Sequence, residues 1–300
     1  YWNISITMFL MEFLEGFKFE VELSNIINAI DESSIEIKEL VNRVNLDNNT
    51  GLVDDCGKNS SGDAQKKLDL LTNEIMIKHL CKSCSCSLLL SEENDDIIIV
   101  DEKESGNYIV AFDPLDGSSN IDSNCGVGTI FSIKLDIDKT EMGNKRVLSD
   151  GNSILCAGYI LYGASTEFVI AFKGYGVHRF NWDNSKNKYV YIGILNISDK
   201  SKQIYSINES NSINWNIDIK EYINQYHSSY TQRWIGSMVS DIHRTLLYGG
   251  MFCYPSDKNN GNGKLRILYE CCPMAMIMEE AGGVGIIGNL SKERILDIMP

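Results

Sequence analysis

The chain has 300 residues, 43% of them hydrophobic, enough to bury the core of one large or two coupled domains. Its formal net charge of −14 argues against a nucleic-acid or anionic-membrane partner. An acidic protein that takes a phosphorylated substrate must offset repulsion with metal ions and a few placed cations. Residues 1–21 are apolar but interrupted by Glu12, Glu15, Lys18 and Glu20, which argues against a signal peptide or a membrane span. The sequence does not open on Met, so a few residues are expected before Tyr1, and a cytoplasmic location is the default.

Apolar positions at Ile26, Ile27, Ile30, Ile35, Ile37, Leu40 and Val41 predict an amphipathic helix over 22–44. Residues 45–62, rich in Asn, Asp, Gly and Ser, read as a long loop. A helix is expected after Asp63, running to about Leu80, followed by strands at 87–90, 97–100, 108–112 and 129–135. The polar connection 136–152 leads to a meander at 154–161, 167–172 and 176–180, a turn at 181–188 and a strand at 189–195. Composition then shifts toward Ser, Lys and Asn over 198–212, so a domain seam is placed near 195, dividing 1–195 from 196–300. Beyond it come a helix at 217–226, a strand at Trp234, a helix at 238–248 and a strand at 251–254. A last helix over 265–281 stops at Ala281-Gly282-Gly283. Four prolines and no long Ser/Gly tract leave no flexible linker. The alternation predicts a layered α/β (α+β) fold.

The run Asp113-Pro114-Leu115-Asp116-Gly117-Ser118-Ser119-Asn120 carries the most chemistry. Pro114 fixes φ and lacks an N–H, so the strand before it is expected to stop there. Gly117 permits a tight turn, and Ser118, Ser119 and Asn120 favour a helix N-terminus. Such a corner offers hard oxygen ligands to a divalent cation and backbone N–H groups to a phosphate. Glu92 and Glu93 follow an apolar run, and Asp63 and Asp69 bracket a helix start. Glu270 stands alone among apolar neighbours, so it is expected to be paired, hydrogen-bonded or metal-bound, with Arg266 one helical turn earlier as the alternative partner. Nine cysteines, mostly in apolar runs, suit free thiols in a reducing compartment. Cys81-x-x-Cys84-x-Cys86 has a soft-metal spacing but no obvious fourth ligand nearby.

These residues, with the ordered blocks Lys66-Lys67-Leu68-Asp69, Ser91-Glu92-Glu93-Asn94, Gly158-Tyr159, Leu161-Tyr162-Gly163, Gly236-Ser237-Met238-Val239, Asp241-Ile242-His243-Arg244-Thr245-Leu246, Gly263-Lys264-Leu265-Arg266 and Leu268-Tyr269-Glu270, resemble the fructose-1,6-bisphosphatase family. That family lies within the metal-dependent, lithium-sensitive sugar and inositol phosphatases. The resemblance covers about residues 62 to 283. It implies a sugar-phosphatase fold of alternating α-β-α-β-α layers, and hydrolysis of the 1-phosphate of fructose 1,6-bisphosphate in gluconeogenesis. Magnesium is the implied cofactor, with Mn2+ or Zn2+ as alternatives. By resemblance Glu92, Asp113, Asp116 and Glu270 bind metal through carboxylates and Leu115 through its carbonyl. Asp63 contributes from a mobile loop, while Asp69 and Glu93 position and deprotonate the attacking water. Gly117, Ser118 and Ser119 hold the transferred phosphoryl group. Asn208, Arg233, Tyr254 and Lys264 bind the other phosphate, Arg233 reaching in from a neighbouring subunit of a dimer or tetramer, and Met238 lines the sugar pocket.

Departures from the family pattern qualify these expectations. Trp234 and Asn211 stand where tyrosines are usual, which alters recognition of the second phosphate. Phe17-Lys18-Phe19-Glu20-Val21, Leu135 and Asn107 replace residues with which relatives hold AMP, so AMP inhibition is expected to be weak or absent. The connection 136–152 lacks cysteine, which argues against thioredoxin-type control. The chain ends at Pro300, before the last strand expected of the family. Sedoheptulose-1,7-bisphosphatase activity, alone or with the fructose activity, is the nearest alternative. The block from Lys264 to Glu270 argues against an inositol phosphatase, and the full carboxylate set argues against an inactive regulatory relative.

Overall fold

A computed structural model describes residues 7–17, 19–46, 67–137, 139, 146–197, 202–288 and 293–300. The predicted loop 45–62, Asp63 and Cys56 therefore lie wholly or mostly outside the described residues. No element is predicted for residues 1–21, yet α1 forms at Leu10–Phe17. Eight residues do not sustain a helix alone. Burial of Leu10, Phe13 and Leu14 does, with the Phe13 ring against His178, Phe180 and Tyr191.

Helix α2 (Val21–Arg43) follows its apolar stripe, burying Ile26, Ile27, Ile30 and Ile37. It packs on α3 (Lys67–Lys82), where Lys78 and His79 bond to Glu36. Both helices cover one face of an eight-stranded sheet. Its strands are β1 (Cys86–Ser91), β2 (Ile98–Ile99), β3 (Tyr108–Asp116), β4 (Val127–Leu135), β5 (Ile154–Tyr162), β6 (Thr166–Phe172), β7 (Gly176–Asp183) and β8 (Lys188–Leu195), in the order β2-β1-β3-β4-β5-β6-β7-β8. From β3 onward neighbours are antiparallel, and only β1 and β3 run parallel. The predicted turn at 181–188 is shorter than expected, because β7 and β8 stay paired to Asp183 and Lys188.

A second sheet, β10 (Thr231–Gln232), β9 (Ile204–Ser206) and β11 (Met251–Phe252), is parallel throughout. The predicted strand at Trp234 thus falls earlier, at Thr231–Gln232, and β9 lies in a stretch where no element was expected. Helix α4 (Ile217–Asn224) buries Ile223 with Tyr205, Ile207 and Trp215 of this half. Helix α5 (Met238–Tyr248) lies between β4 of the large sheet and β11 of the small one. Helix α6 (Cys272–Glu280) shares with α5 a core against the large sheet's second face. The layers therefore alternate helix, sheet, helix, sheet, helix, as the resemblance implies. The helix expected over 265–281 is two structures: a π-helical turn at Ile267–Cys271 runs into α6.

Candidate active site

Parallel pairing of β1 with β3 ends at Ser91 opposite Phe112, and the Glu92 N–H donates to the Phe112 carbonyl at 3.1 Å. Parallel strands bring their carboxyl ends to one edge, where ligands of α/β proteins commonly bind. Glu92 and Asp113 thereby become neighbours, and Glu92 is among the charges that raise the Asp113 carboxyl.

β3 does not stop at Pro114, contrary to the expectation from its missing N–H. Pairing with β4 continues to Asp116 opposite Gly128, with two residues of β3 against one of β4 between Asp113 and Asp116. Pro114 sits in this bulge, where no ladder donor is required of it. Its carbonyl accepts from the Thr129 hydroxyl at 2.9 Å, and the Asp113 carboxylate accepts the Leu115 N–H at 2.9 Å. The bulge turns both Asp113 and Asp116 into the same buried corner. Gly117 follows at φ 74°, and a 3-10 helix runs over Ser118–Ser123.

The Gly117 position is closed by α5. A Cβ at Gly117 would lie 2.9 Å from the Ser237 Cβ. Ser237 caps α5, and Asp116 Oδ2 accepts the Val239 N–H at 3.0 Å and the Ser237 hydroxyl at 3.4 Å. The Asn120 amide donates to the Gly236 carbonyl at 3.0 Å. Asp241 accepts the Ile235 and Gly236 N–H groups and pairs with Arg244, fixing the segment ahead of the helix. Of this block only Met238 has a role assigned from the sequence, as a residue lining the sugar pocket. A serine ahead of an apolar helix is the signal that marks the block.

Glu270 enters from the π-helical turn, 7% exposed. Its carboxylate accepts the Arg266 backbone N–H at 2.6 Å, whereas the Arg266 guanidinium reaches Glu92 at 2.5 Å. The alternative of an Arg266–Glu270 charge pair is thus replaced by a backbone contact.

Ligand oxygens of Asp113, Asp116 and Glu270 lie within 4.8 Å of one another. Oxygens on opposite sides of one ion, each bound at roughly 2.0–2.6 Å, stand about 4–5 Å apart, so the trio fits a hard divalent cation. The electrostatics point the same way. Burial, then Glu92 and Asp116, pushes Asp113 well above the usual carboxylate range. Burial and then Glu92 raise Glu270 to about 8. Asp116 rises less, to about 6, through burial opposed by the Val239 N–H. Buried like charges at this spacing hold protons or a cation.

Asp69, 5% exposed, lies in the first turn of α3. One turn on, Asn73 bonds to the Ser91 hydroxyl and to Asn94, the residues that flank Glu92 and Glu93. The Glu93 N–H in turn bonds to Ser91 Oγ at 3.2 Å. These tethers bring the α3 start to the carboxylate end of β1. Ser119 is exposed and Ser118 half-buried on the turn, while Lys264 is exposed four positions after Asn260. Farther out, Asn208 caps a 3-10 helix by accepting the Ser210 N–H, and Arg233 is exposed. Tyr254 lies beside Trp234, ring centres 6.2 Å apart, and Trp234 stacks on Phe252. Met238 is 7% exposed and packs in the core under α5. The three cysteines at 81, 84 and 86 do not converge as a metal group among the described residues, where all the cysteines are free.

A buried carboxylate cluster beside a glycine turn, at the carboxyl edge of parallel strands in an α-β-α-β-α stack, defines a metal-dependent phosphatase. The family models for the N-terminal and C-terminal domains of fructose-1-6-bisphosphatase match residues 4–193 and 197–300. The chain is similar to a cytosolic fructose-1,6-bisphosphatase of Brassica napus, 41% identical over 94% of this chain and 82% of the relative. It is also similar to a fructose-1,6-bisphosphatase 1 of Bos taurus, 37% identical over 99% of this chain and 88% of the relative. The holo-form crystal structure of Leishmania major fructose-1,6-bisphosphatase superposes with a TM-score of 0.90 at 37% identity, covering 98% of this chain and 91% of that one. The chain belongs to the fructose-1,6-bisphosphatase family, whose members are metal-dependent phosphatases acting on a sugar bisphosphate.

Proposed function

We propose that this enzyme hydrolyses the 1-phosphate of fructose 1,6-bisphosphate at the corner formed by Asp113, Asp116 and Glu270. The observation that carries this reading is the convergence of those carboxylate oxygens within 4.8 Å, next to the Gly117 turn. Glu92, Asp113, Asp116, Glu270 and the Leu115 carbonyl would hold Mg2+, with Mn2+ or Zn2+ as substitutes. When bound, the cation neutralises the phosphate and acidifies water. Asp69 and Glu93 orient the attacking water and take its proton. Its oxygen bonds to phosphorus in line as the bond to the sugar oxygen breaks, that sugar oxygen takes a proton from solvent, and inorganic phosphate and fructose 6-phosphate leave. Gly117, Ser118 and Ser119 cradle the transferred group, and Asp63, outside the described residues, adds a further carboxylate.

Asn208, Arg233, Tyr254 and Lys264 would bind the second phosphate, with Met238 against the sugar. Trp234 replaces a tyrosine hydroxyl there with an indole stacked on Phe252 and beside Tyr254, so the second phosphate loses one hydroxyl donor. Phosphate release from fructose 1,6-bisphosphate, sedoheptulose 1,7-bisphosphate and inositol phosphate with Mg2+ tests this. Fructose bisphosphate is expected to turn over fastest, and no turnover on any of the three would overturn the reading. AMP added to the same assay should inhibit weakly or not at all, because Leu135 and Asn107 stand where an arginine and a lysine are expected, and the Asn107 amide already donates to Glu22. Inhibition at low micromolar AMP would contradict it.

The division into 1–195 and 196–300 is supported by the end of β8 at Leu195. Exposure of Arg233 supports a homo-oligomer, dimer or tetramer, in which that side chain completes a neighbour's site. Sedimentation at assay concentration should give an oligomer, and a monomer would remove the shared-arginine reading. Cytosolic relatives and an internal carbohydrate substrate support a cytoplasmic location. Among the described residues no helix is long and apolar enough to cross a membrane.

A further inference from the structure

We infer that Arg266 is a built-in counter-ion of the carboxylate cluster, a positioning residue that holds Glu92 until a divalent cation takes its place. The inference rests on the reading of Glu92, Asp113, Asp116 and Glu270 as metal ligands. Arg266 stands immediately before the π-helical turn, and that turn locks its backbone. Its carbonyl accepts the Glu270 and Cys271 N–H groups at 3.2 and 3.0 Å, and its own N–H bonds to Glu270 Oε2. The base of the side chain is therefore fixed against one carboxylate of the cluster. Its other end lies on another, with Nη1 and Nη2 both on Glu92 Oε1 at 2.5 Å.

The pair is largely shielded from water, with side-chain exposures of 20% for Arg266 and 14% for Glu92. A charge pair so shielded is far stronger than a surface one. Glu92 also stands beside Asp113, because Ser91 and Phe112 are paired at the ends of β1 and β3. While Arg266 holds Glu92 Oε1, that oxygen is engaged and does not bind a cation in the corner, and releasing it restores the ligand. A cation and a guanidinium cannot both hold the same carboxylate oxygen at bonding distance. Metal affinity is then reduced by the fraction of molecules in which Glu92 stays with Arg266. Arginine suits this role because its planar fork presents two N–H donors to one carboxylate.

The test is calorimetric titration of Mn2+, and of Mg2+, into chelator-stripped full chain in phosphate-free buffer. Arg266→Met and Arg266→Gln are compared with wild type, folding being checked by circular dichroism. Both variants are expected to bind Mn2+ at least about fivefold more tightly. Their metal-free melting temperature should fall, and its rise on adding metal should exceed that of wild type. Arg266→Lys, which keeps a charge without the planar fork, should lie between. Arg266→Gln keeps hydrogen-bond donors without charge, so it remains informative if the Met variant does not fold. Unchanged or weaker Mn2+ binding in a folded variant would overturn the inference, since a residue that only supported the turn gives that result. Absence of Mn2+ and Mg2+ binding to wild type at millimolar concentration would instead overturn the metal reading itself.

Discussion

Asp116→Ala lowers turnover by about three orders of magnitude or more at saturating substrate, while the protein stays folded. Asp116 is one of three carboxylates whose oxygens meet in the corner, and it is the one that α5 addresses. The Val239 N–H and the Ser237 hydroxyl keep it closer to its ionised form than Asp113 or Glu270. Removing it takes away the ligand best suited to bind a cation without first losing a proton. The structural cost is about 1–3 kcal/mol for leaving the Val239 N–H without an acceptor. Relief of repulsion from Glu92 offsets part of that cost. Asp116→Asn separates the two effects, because an amide oxygen still accepts from Val239 but carries no charge. Both variants should melt within a few degrees of wild type in the absence of metal, and both should be inactive. Activity within about tenfold of wild type in Asp116→Asn would show that the charge is not what matters.

Asp31→Asn stabilises the protein at pH 8 and has little effect near pH 4. Asp31 lies on α2, and its Oδ1 is buried without a hydrogen-bond partner among the described residues. Burial first, and the neighbouring Glu32 second, push its carboxyl from 3.8 to about 7, with Lys188 on β8 opposing. An acid with a raised folded-state pKa binds protons more tightly when folded. Below about pH 4 both states are protonated and the group costs nothing. Stability then falls as pH rises from 4 through 7, and the full cost is present above 7. That cost is at most about 4 kcal/mol, and partial exposure of the side chain brings it nearer 2 kcal/mol. Melting temperatures of the two proteins should therefore diverge between pH 4 and pH 8. A constant difference across that range would refute the assignment. Carboxylates such as Asp136, held low by Arg146 and Ser87, set the opposite acid-side slope in both proteins and cancel in the comparison.

The elements legible in the sequence were those whose burial follows a period. Helix α2 lies within one residue of its predicted start and end, because its isoleucines recur at helical spacing and all face one core. The meander of β5, β6 and β7 was legible through apolar runs bounded by turn residues. Helix α1 and strand β9 were missed because each is too short to carry a period and is held by tertiary contact. The π-helical turn was merged into α6, since one extra residue in a turn leaves no mark in composition. The acids of the site were legible as residue types in a recognisable order. Their partners were not: Arg266 lies 174 positions from Glu92, and Val239 lies 123 from Asp116.

The sequence by itself pointed to a metal beside a phosphate, because carboxylates, a turn glycine and N-terminal serines in this order supply ligands for both. It also determined which family the chain resembles. Only the tertiary structure decided that Pro114 sits inside a bulged strand instead of ending one. It likewise decided that α5 holds Asp116 and that Arg266 spans Glu92 and Glu270. Local propensity acts over a few residues, whereas these contacts depend on which strands pair, in which direction and with what register. Parallel pairing of β1 with β3, and the extra residue at the bulge, are choices of the whole sheet. They bring Glu92, Asp113 and Asp116 to one corner, to which the π-helical turn adds Glu270.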